Sequence, residues 1–175
     1  RNPDYDSIGA CVGVARLAMF CGVKCNIVVN RGDTNIRSAI QRVETLPEYA
    51  DMFVDNFVGQ DMIHPDTLLV IVDVNNPAQF AAPDIAANVD TIVIIDHHRK
   101  TGDYKRQPAI TYIDPSASSA CELTAEILEQ ALPMGGLHRE EADVLYAGML
   151  LDTKQFSRNT GVRTFSAALY LRSEG

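Results

Sequence analysis

At 175 residues, 46% of them hydrophobic and 22% charged, the chain has the make-up of one globular domain, which excludes a disordered tail or a coiled coil. A folded chain of this length removes roughly 70% of its unfolded surface from water, enough for one sizeable core. The sum of 15 Lys and Arg against 23 Asp and Glu, a net of −8, is the reverse of what a duplex-DNA binder needs to neutralise phosphates, so duplex DNA is not expected as a partner.

In chain order, helix and strand periodicities alternate. Ser7 can cap a helix over 8–20, which Gly22 stops. KCNIVVN (24–30) reads as a strand, and Ile36, Ile40 and Val43 give helical spacing over 35–46 before Pro47 ends it. Residues 48–65 read as short helical pieces. TLLVIVDV (67–74) and TIVII (91–95) are near-continuous apolar runs, the mark of strands covered on both faces in a parallel sheet. A short helix over 82–87 lies between them. A weaker strand follows at 109–113, then a helix at 119–131 opened by the capping box Ser119-x-x-Glu122. Residues 140–151 form an amphipathic helix with acids in its first turn, and 164–171 a last helix. This alternation implies an α/β fold: a doubly wound, mostly parallel sheet with helices on both faces, in one domain over 1–175.

Four cysteines without a CxxC pair read as small buried hydrophobes in a reducing compartment. No run reaches the roughly 18 apolar residues of a membrane span, and no signal peptide is visible, so this segment is expected to make no membrane contact. The chain starts at Arg1 without Met and stops at Gly175 just past a helix-like stretch, as an excised domain would.

Open parallel sheets bind ligands at the carboxyl ends of their strands, and here those ends carry Asp73 and the triplet Asp96-His97-His98. A buried carboxylate must neutralise, pair or meet a metal. Asp4 and Asp6 lie two apart, which in an extended segment points both carboxylates to one side. Helix capping for Asp6 and a plain turn for Asp4 are equally ordinary uses. Asp152 closes the apolar helix end AGMLLDT, where an acid opposes the helix dipole and needs another reason to be there. Oxygen-rich ligands with one or two imidazoles suit Mn²⁺ or a similar divalent ion, with Co²⁺ or Mg²⁺ also allowed, better than a structural zinc site. Four or five converging anionic groups would repel one another strongly, which favours two ions over one. Two metals are the standard apparatus for displacement at phosphorus, activating a bridging water. For phosphate contact the candidates are Ser118 and Ser119 at a helix start, Arg99 after the histidine pair, and Arg158 in the turn SRNTGVR. Their ordinary uses are capping for the serines and solvation for the arginines.

RNPDYDSIGA, DVNNP, VIIDHHR and GMLLDTKQF, in that order and spacing, resemble the four motifs of the DHH phosphoesterases, and the resemblance covers nearly the whole chain. Within that family the segments DPSASSACEL and TGVRTFSAALYLRSEG look most like the membrane-anchored bacterial cyclic-di-AMP phosphodiesterases. The resemblance implies an Mn²⁺-dependent hydrolase opening cyclic-di-AMP to the linear dinucleotide pApA. It also implies a cytoplasmic domain of a parent protein anchored in the bacterial membrane, and leaves a homodimer of that parent open. Carried over by residue, Asp4 would bind the first metal and Asp6 the second, with Asp73 bridging them and His97 and Asp152 completing the second site. His98 would face the scissile phosphate while Asp96 orients the imidazoles.

Two departures from the pattern stand out. The family's first motif begins with a ligand His just before the position of Arg1, and its C-terminal DHHA1 subdomain would follow Gly175. Without them the chain is expected to fold but to be weakly active or inactive by itself. The same metal residues would serve an oligoribonuclease or RecJ-like exonuclease on short oligonucleotides, a family II inorganic pyrophosphatase, or a non-catalytic nucleotide- or metal-binding module.

Overall fold

The computed structural model describes residues 3–175; Arg1 and Asn2, which open the first motif, lie outside them. Helix α1 (Tyr5–Phe20) begins three residues before the sequence reading places it. Its N-cap is Asp4 rather than Ser7. The Asp4 carboxylate accepts the amides of Asp6 and Ser7 at 3.1 Å each, and the Ser7 hydroxyl accepts the Asp4 amide at 2.8 Å. Asp4 and Asp6 therefore do not alternate along an extended strand: Asp6 sits in the first helical turn. At the other end Gly22 takes the left-handed conformation (φ 71°) expected of a helix stop.

The strands pair in parallel throughout, as an α/β fold requires, but in two sheets where the sequence suggested one. Strand β1 (Ile27–Val28) pairs with β2 (Phe53–Val54), and β3 (Leu68–Val72), β4 (Thr91–Asp96) and β5 (Ile110–Ile113) form a triplet with β4 central. Strand β2 was not legible in the sequence: two residues set no period. The helices are α2 (Arg37–Val43), α3 (Asn56–Asp61), α4 (Pro83–Asn88), α5 (Ala120–Ala131), α6 (Arg139–Asp152) and α7 (Val162–Glu174). Being at the triplet's edge, β3 is less covered than its apolar run implies. Leu68 is 55% exposed, and an apolar groove of about 180 Å³ runs between Val70, Val93, Leu17 and Ile127.

Helix α1 divides two cores. One joins Ala10 to Val72, Ile95, Leu123, Leu145 and Met149; the other joins Ile8, Val12 and Ala15 to Ile27, Ile40, Val43 and Phe53. That is why α1 is apolar around its whole circumference rather than along one stripe. A buried ionic node fastens α1 to α6. Arg16 Nε lies 2.8 and 2.9 Å from the two oxygens of fully buried Glu141, which also accepts the Tyr49 hydroxyl at 2.5 Å. Glycines set the spacing. A Cβ on Gly148 of α6 would sit 2.6 Å from the Tyr5 carbonyl and 3.0 Å from the Asp6 Cα.

Helix α5 starts as predicted, with one change. The Ser119 hydroxyl accepts the Glu122 amide (3.0 Å), but the Glu122 carboxylate returns to Ser118, accepting its amide at 3.1 Å and its hydroxyl at 2.5 Å. Replacing Ser119 with Ala is expected to lower the unfolding free energy by about 1 kcal/mol, the ordinary worth of such a cap. Urea denaturation checks this; an unchanged midpoint would show that the hydroxyl does not cap. The cysteines are all free thiols, but only Cys121 is fully buried and Cys21 is exposed, so the expectation of four buried hydrophobes is corrected for Cys21.

Candidate metal centre

Four chain segments deliver the acids and imidazoles. The parallel register pairs Val72 with Ile95, so β3 and β4 leave the sheet side by side and set Asp73 next to Asp96. Asp73 takes a left-handed backbone (φ 60°) as its amide donates to the Ile95 carbonyl at 2.9 Å. Aspartate tolerates that turn better than most residues. The first turn of α1 brings Asp6, and the last residue of α6 brings Asp152.

These groups meet at one atom. Nε2 of His97 lies 3.7 Å from Asp6 Oδ2, 3.5 Å from Asp73 Oδ1 and 3.4 Å from Asp152 Oδ2. That nitrogen is buried and has no hydrogen-bond partner. Donors sharing an ion with bonds of about 2.1 Å stand roughly 3.0–3.5 Å from one another, close to this spacing. An orphaned imidazole nitrogen ringed by carboxylate oxygens is a donor set that fits a divalent cation. Among the described residues, two groups bring one ligand atom from each member within 4.8 Å of the others: Asp6, His97 and Asp152, and also Asp73, Asp96, His97 and His98.

Electrostatics match a cluster short of positive charge. Burial, then the neighbouring Asp73 charge, pushes the Asp6 carboxyl up to about 6, against the pull of the Cys121 and Ala120 amides and His97. Burial and the Asp6 charge likewise raise Asp152. Burial opposes charging of His97, yet Asp73, Asp6 and Asp152 together overcome it and push the imidazole up to about 9. Asp6 is also tied to α5, whose first amides donate to it: Ala120 to Oδ2 at 2.7 Å and Cys121 to Oδ1 at 2.8 Å. No local motif announces that bond, because it joins residues 114 apart.

Asp4 lines the same cleft as Asp6 and Asp152, together with Tyr5, Asn35, Gly148 and Leu151. Its carboxylate caps α1 and belongs to neither ligand group. Fully buried Asp96 accepts both the ring Nδ1 of His98 (2.8 Å) and the His98 amide (3.1 Å) through Oδ1. Burial disfavours its charge, but these bonds, with one from Asn75, hold its carboxyl below the usual carboxylate range. Asn75 itself was missed: nothing in the sequence separates it from an ordinary turn residue.

Of the phosphate-contact candidates, Ser118 and Ser119 are buried with hydroxyls engaged at the start of α5, whereas Arg99 and Arg158 are exposed. Arg163, the second arginine of its turn, is an ion-pair hub, bidentate to Glu126 (2.7 Å) and 2.6 Å from Asp114. After Asp152, residues Lys154, Gln155 and Phe156 form a left-handed turn (φ 49°, 58° and 61°) anchored by the Thr153 hydroxyl, which accepts the Phe156 amide. His138 lies 3.1 Å from Glu48, whose carboxylate is also 3.6 Å from Arg16.

Fold and site together define an α/β domain with a candidate cation-binding cluster at the carboxyl ends of its parallel strands. The chain belongs to the DHH family: the description "DHH family, N-terminal domain" matches residues 1–149. The cyclic-di-AMP phosphodiesterase GdpP of Bacillus subtilis (strain 168) is 37% identical over 177 residues, covering 100% of this chain and 27% of that protein. The cyclic-di-AMP phosphodiesterase PdeA of Listeria monocytogenes serotype 1/2a is 34% identical over 177 residues, with the same coverage of 100% and 27%. The chain thus spans about a quarter of the length of these curated relatives. A crystal structure of an exopolyphosphatase-related protein from Bacteroides fragilis superposes with a TM-score of 0.73 at 22% identity, over 99% of this chain and 50% of that one, a likeness of fold. Among the described residues no helix is long and apolar enough to cross a membrane.

Proposed function

We propose that this chain is the catalytic DHH subdomain of a metal-dependent phosphodiesterase that hydrolyses cyclic-di-AMP to pApA. The observation that carries the reading is the convergence of carboxylates from α1, β3 and α6 on the orphaned Nε2 of His97. The cyclic-di-AMP phosphodiesterase activity of two relatives whose matches span the whole chain supports the choice of substrate.

Asp6, Asp73, His97 and Asp152 would hold one ion, and Asp4 with Asp73 would contribute to a second. Mn²⁺ is proposed on the family resemblance, and the same donors suit Co²⁺ or Mg²⁺. When bound, such a pair supplies an activated water and the positive charge that displacement at phosphorus needs. The protein's own part is to hold those donors in place and to present His98. The imidazole would donate to a phosphate oxygen as charge develops there, while Asp96 fixes the ring through Nδ1. Arg99 and Arg158, both exposed, would meet the phosphate of the cyclic dinucleotide that is not cleaved, whereas the Ser118–Ser119 helix start, its first amides already donated to Asp6, would hold that ligand carboxylate rather than the substrate. The parent protein is proposed to be anchored in the bacterial membrane with this domain in the cytoplasm.

The test is a substrate panel on the natural gene product that contains this chain. Cyclic-di-AMP, pApA, short RNA and pyrophosphate are offered separately with Mn²⁺. Conversion of cyclic-di-AMP to pApA, abolished by EDTA and restored by Mn²⁺, is the expected result. Preferential cleavage of short RNA or pyrophosphate would overturn the substrate assignment in favour of an oligoribonuclease, RecJ-like or family II pyrophosphatase activity. Metal binding without any cleavage would mark a nucleotide or metal sensor.

A further inference from the structure

We propose that Asn75 is a positioning residue whose side-chain amide locks the loop after β4 and thereby fixes His98 for its part in the reaction; the catalytic half of this statement rests on the function proposed above. Asn75 is 2% exposed, two residues past Asp73, and uses every part of its amide. Nδ2 donates to Asp96 Oδ2 at 2.6 Å and lies 3.2 and 3.3 Å from the carbonyls of His98 and Arg99. Oδ1 accepts the Thr101 amide at 3.1 Å. Asp96 in turn accepts the His98 amide and ring through its other oxygen, so Asn75, Asp96 and His98 form one chain of hydrogen bonds, buried at Asn75 and Asp96 and reaching the surface at His98. The two loops also touch: a Cβ on Gly102 would come within 2.8 Å of Pro77 and 3.3 Å of the Asn76 Cα.

The geometry demands both halves of the amide. A donor is needed because Asp96 and two carbonyls are all acceptors, and an acceptor is needed for Thr101. Asn75→Asp separates the two requirements. It keeps the shape and the Thr101 bond but faces acceptors with an acceptor. If Asn75 did no more than brace Thr101, the variant would behave as wild type.

Three measurements decide the matter. In the metal-free wild-type chain, the Asn75 carboxamide protons should exchange with solvent about 100-fold more slowly than those of exposed Asn159. Three-bond couplings should show a single χ1 rotamer for His98 in the wild type and averaging in both Asn75→Asp and Asn75→Ala. With cyclic-di-AMP as substrate, both variants should lose about 10- to 100-fold in kcat, with KM changed by no more than about threefold. Fast exchange of the wild-type carboxamide, or an unaltered His98 rotamer in Asn75→Asp, would overturn the proposal. Should both variants unfold, the wild-type exchange rate decides alone. If the wild type cleaves no member of the substrate panel, the function reading fails while exchange and rotamer still judge the role of Asn75.

Discussion

Asp73→Asn is expected to remove Mn²⁺-dependent stabilisation of the chain and, on the function proposed above, to lower phosphodiesterase activity by about 1,000-fold. Asp73 is the acid that both imidazoles face, 3.5 Å from His97 Nε2 and 3.6 Å from His98 Nδ1. Asparagine has the same shape and accepts the same left-handed backbone, so the turn at φ 60° survives the exchange. What changes is the charge. Asp73 pushes Asp6 up by repulsion and holds His97 up by attraction, so removing its charge trades a relief against a loss in the metal-free cluster. The metal-free variant should therefore change little in stability, while the rise in Tm on adding Mn²⁺, a measure of binding to the folded state alone, should vanish. Thermal unfolding with and without Mn²⁺ reads both effects. An unchanged Mn²⁺-induced shift would remove Asp73 from the metal set.

Gly148→Ala is expected to cost about 3 kcal/mol of stability, at the upper end for one added methyl, because two of its three closest neighbours are backbone. The new Cβ would meet Cys121 Sγ at 2.6 Å, the Tyr5 carbonyl at 2.6 Å and the Asp6 Cα at 3.0 Å. A side chain can swing aside; the first turn of α1 cannot, since Asp4 caps it and Asp6 is bound to α5. The separation of α1 from α6 also widens the gap between Asp6 and Asp152, so Mn²⁺ affinity should fall about tenfold. Urea denaturation and calorimetric Mn²⁺ titration test the two parts. Adding Cys121→Ala should recover only a fraction of the loss, because the contacts with Tyr5 and Asp6 remain. Full recovery would show that sulfur crowding, not the helix approach, sets the spacing.

How far the sequence foretells this arrangement depends on the range of the interaction. Strand ends and helix starts are legible because their signals are local. The runs TLLVIVD and TIVIID announce the exits of β3 and β4, and Ser119 announces α5. The acids at those exits, with Asp6 and Asp152, are the groups that the fold assembles. Illegible are bonds between distant residues. Nothing near Asp6 shows that it will receive the amides of α5, and nothing near Arg163 shows that it will pair with Asp114 and Glu126 rather than stay in solvent. The position of Asp4 suits a turn residue or a metal ligand, and nothing local shows the further use the structure makes of its carboxylate, capping α1 in place of Ser7. Strand β2 escaped notice because two residues paired to β1 carry no periodicity, and Asn75 because a buried amide and a turn amide look alike in one dimension.

The attachment of Asp6 to α5 makes the acid cluster work as a vice with one fixed jaw. Both Asp6 oxygens are clamped by main-chain amides and each keeps only its remaining lone pair for other partners. Opposite it, Asp152, the last residue of α6, keeps 29% of its side chain in solvent. Were a cation held between them, adjustment to its radius would fall to the Asp152 side chain rather than to the clamped carboxylate of Asp6.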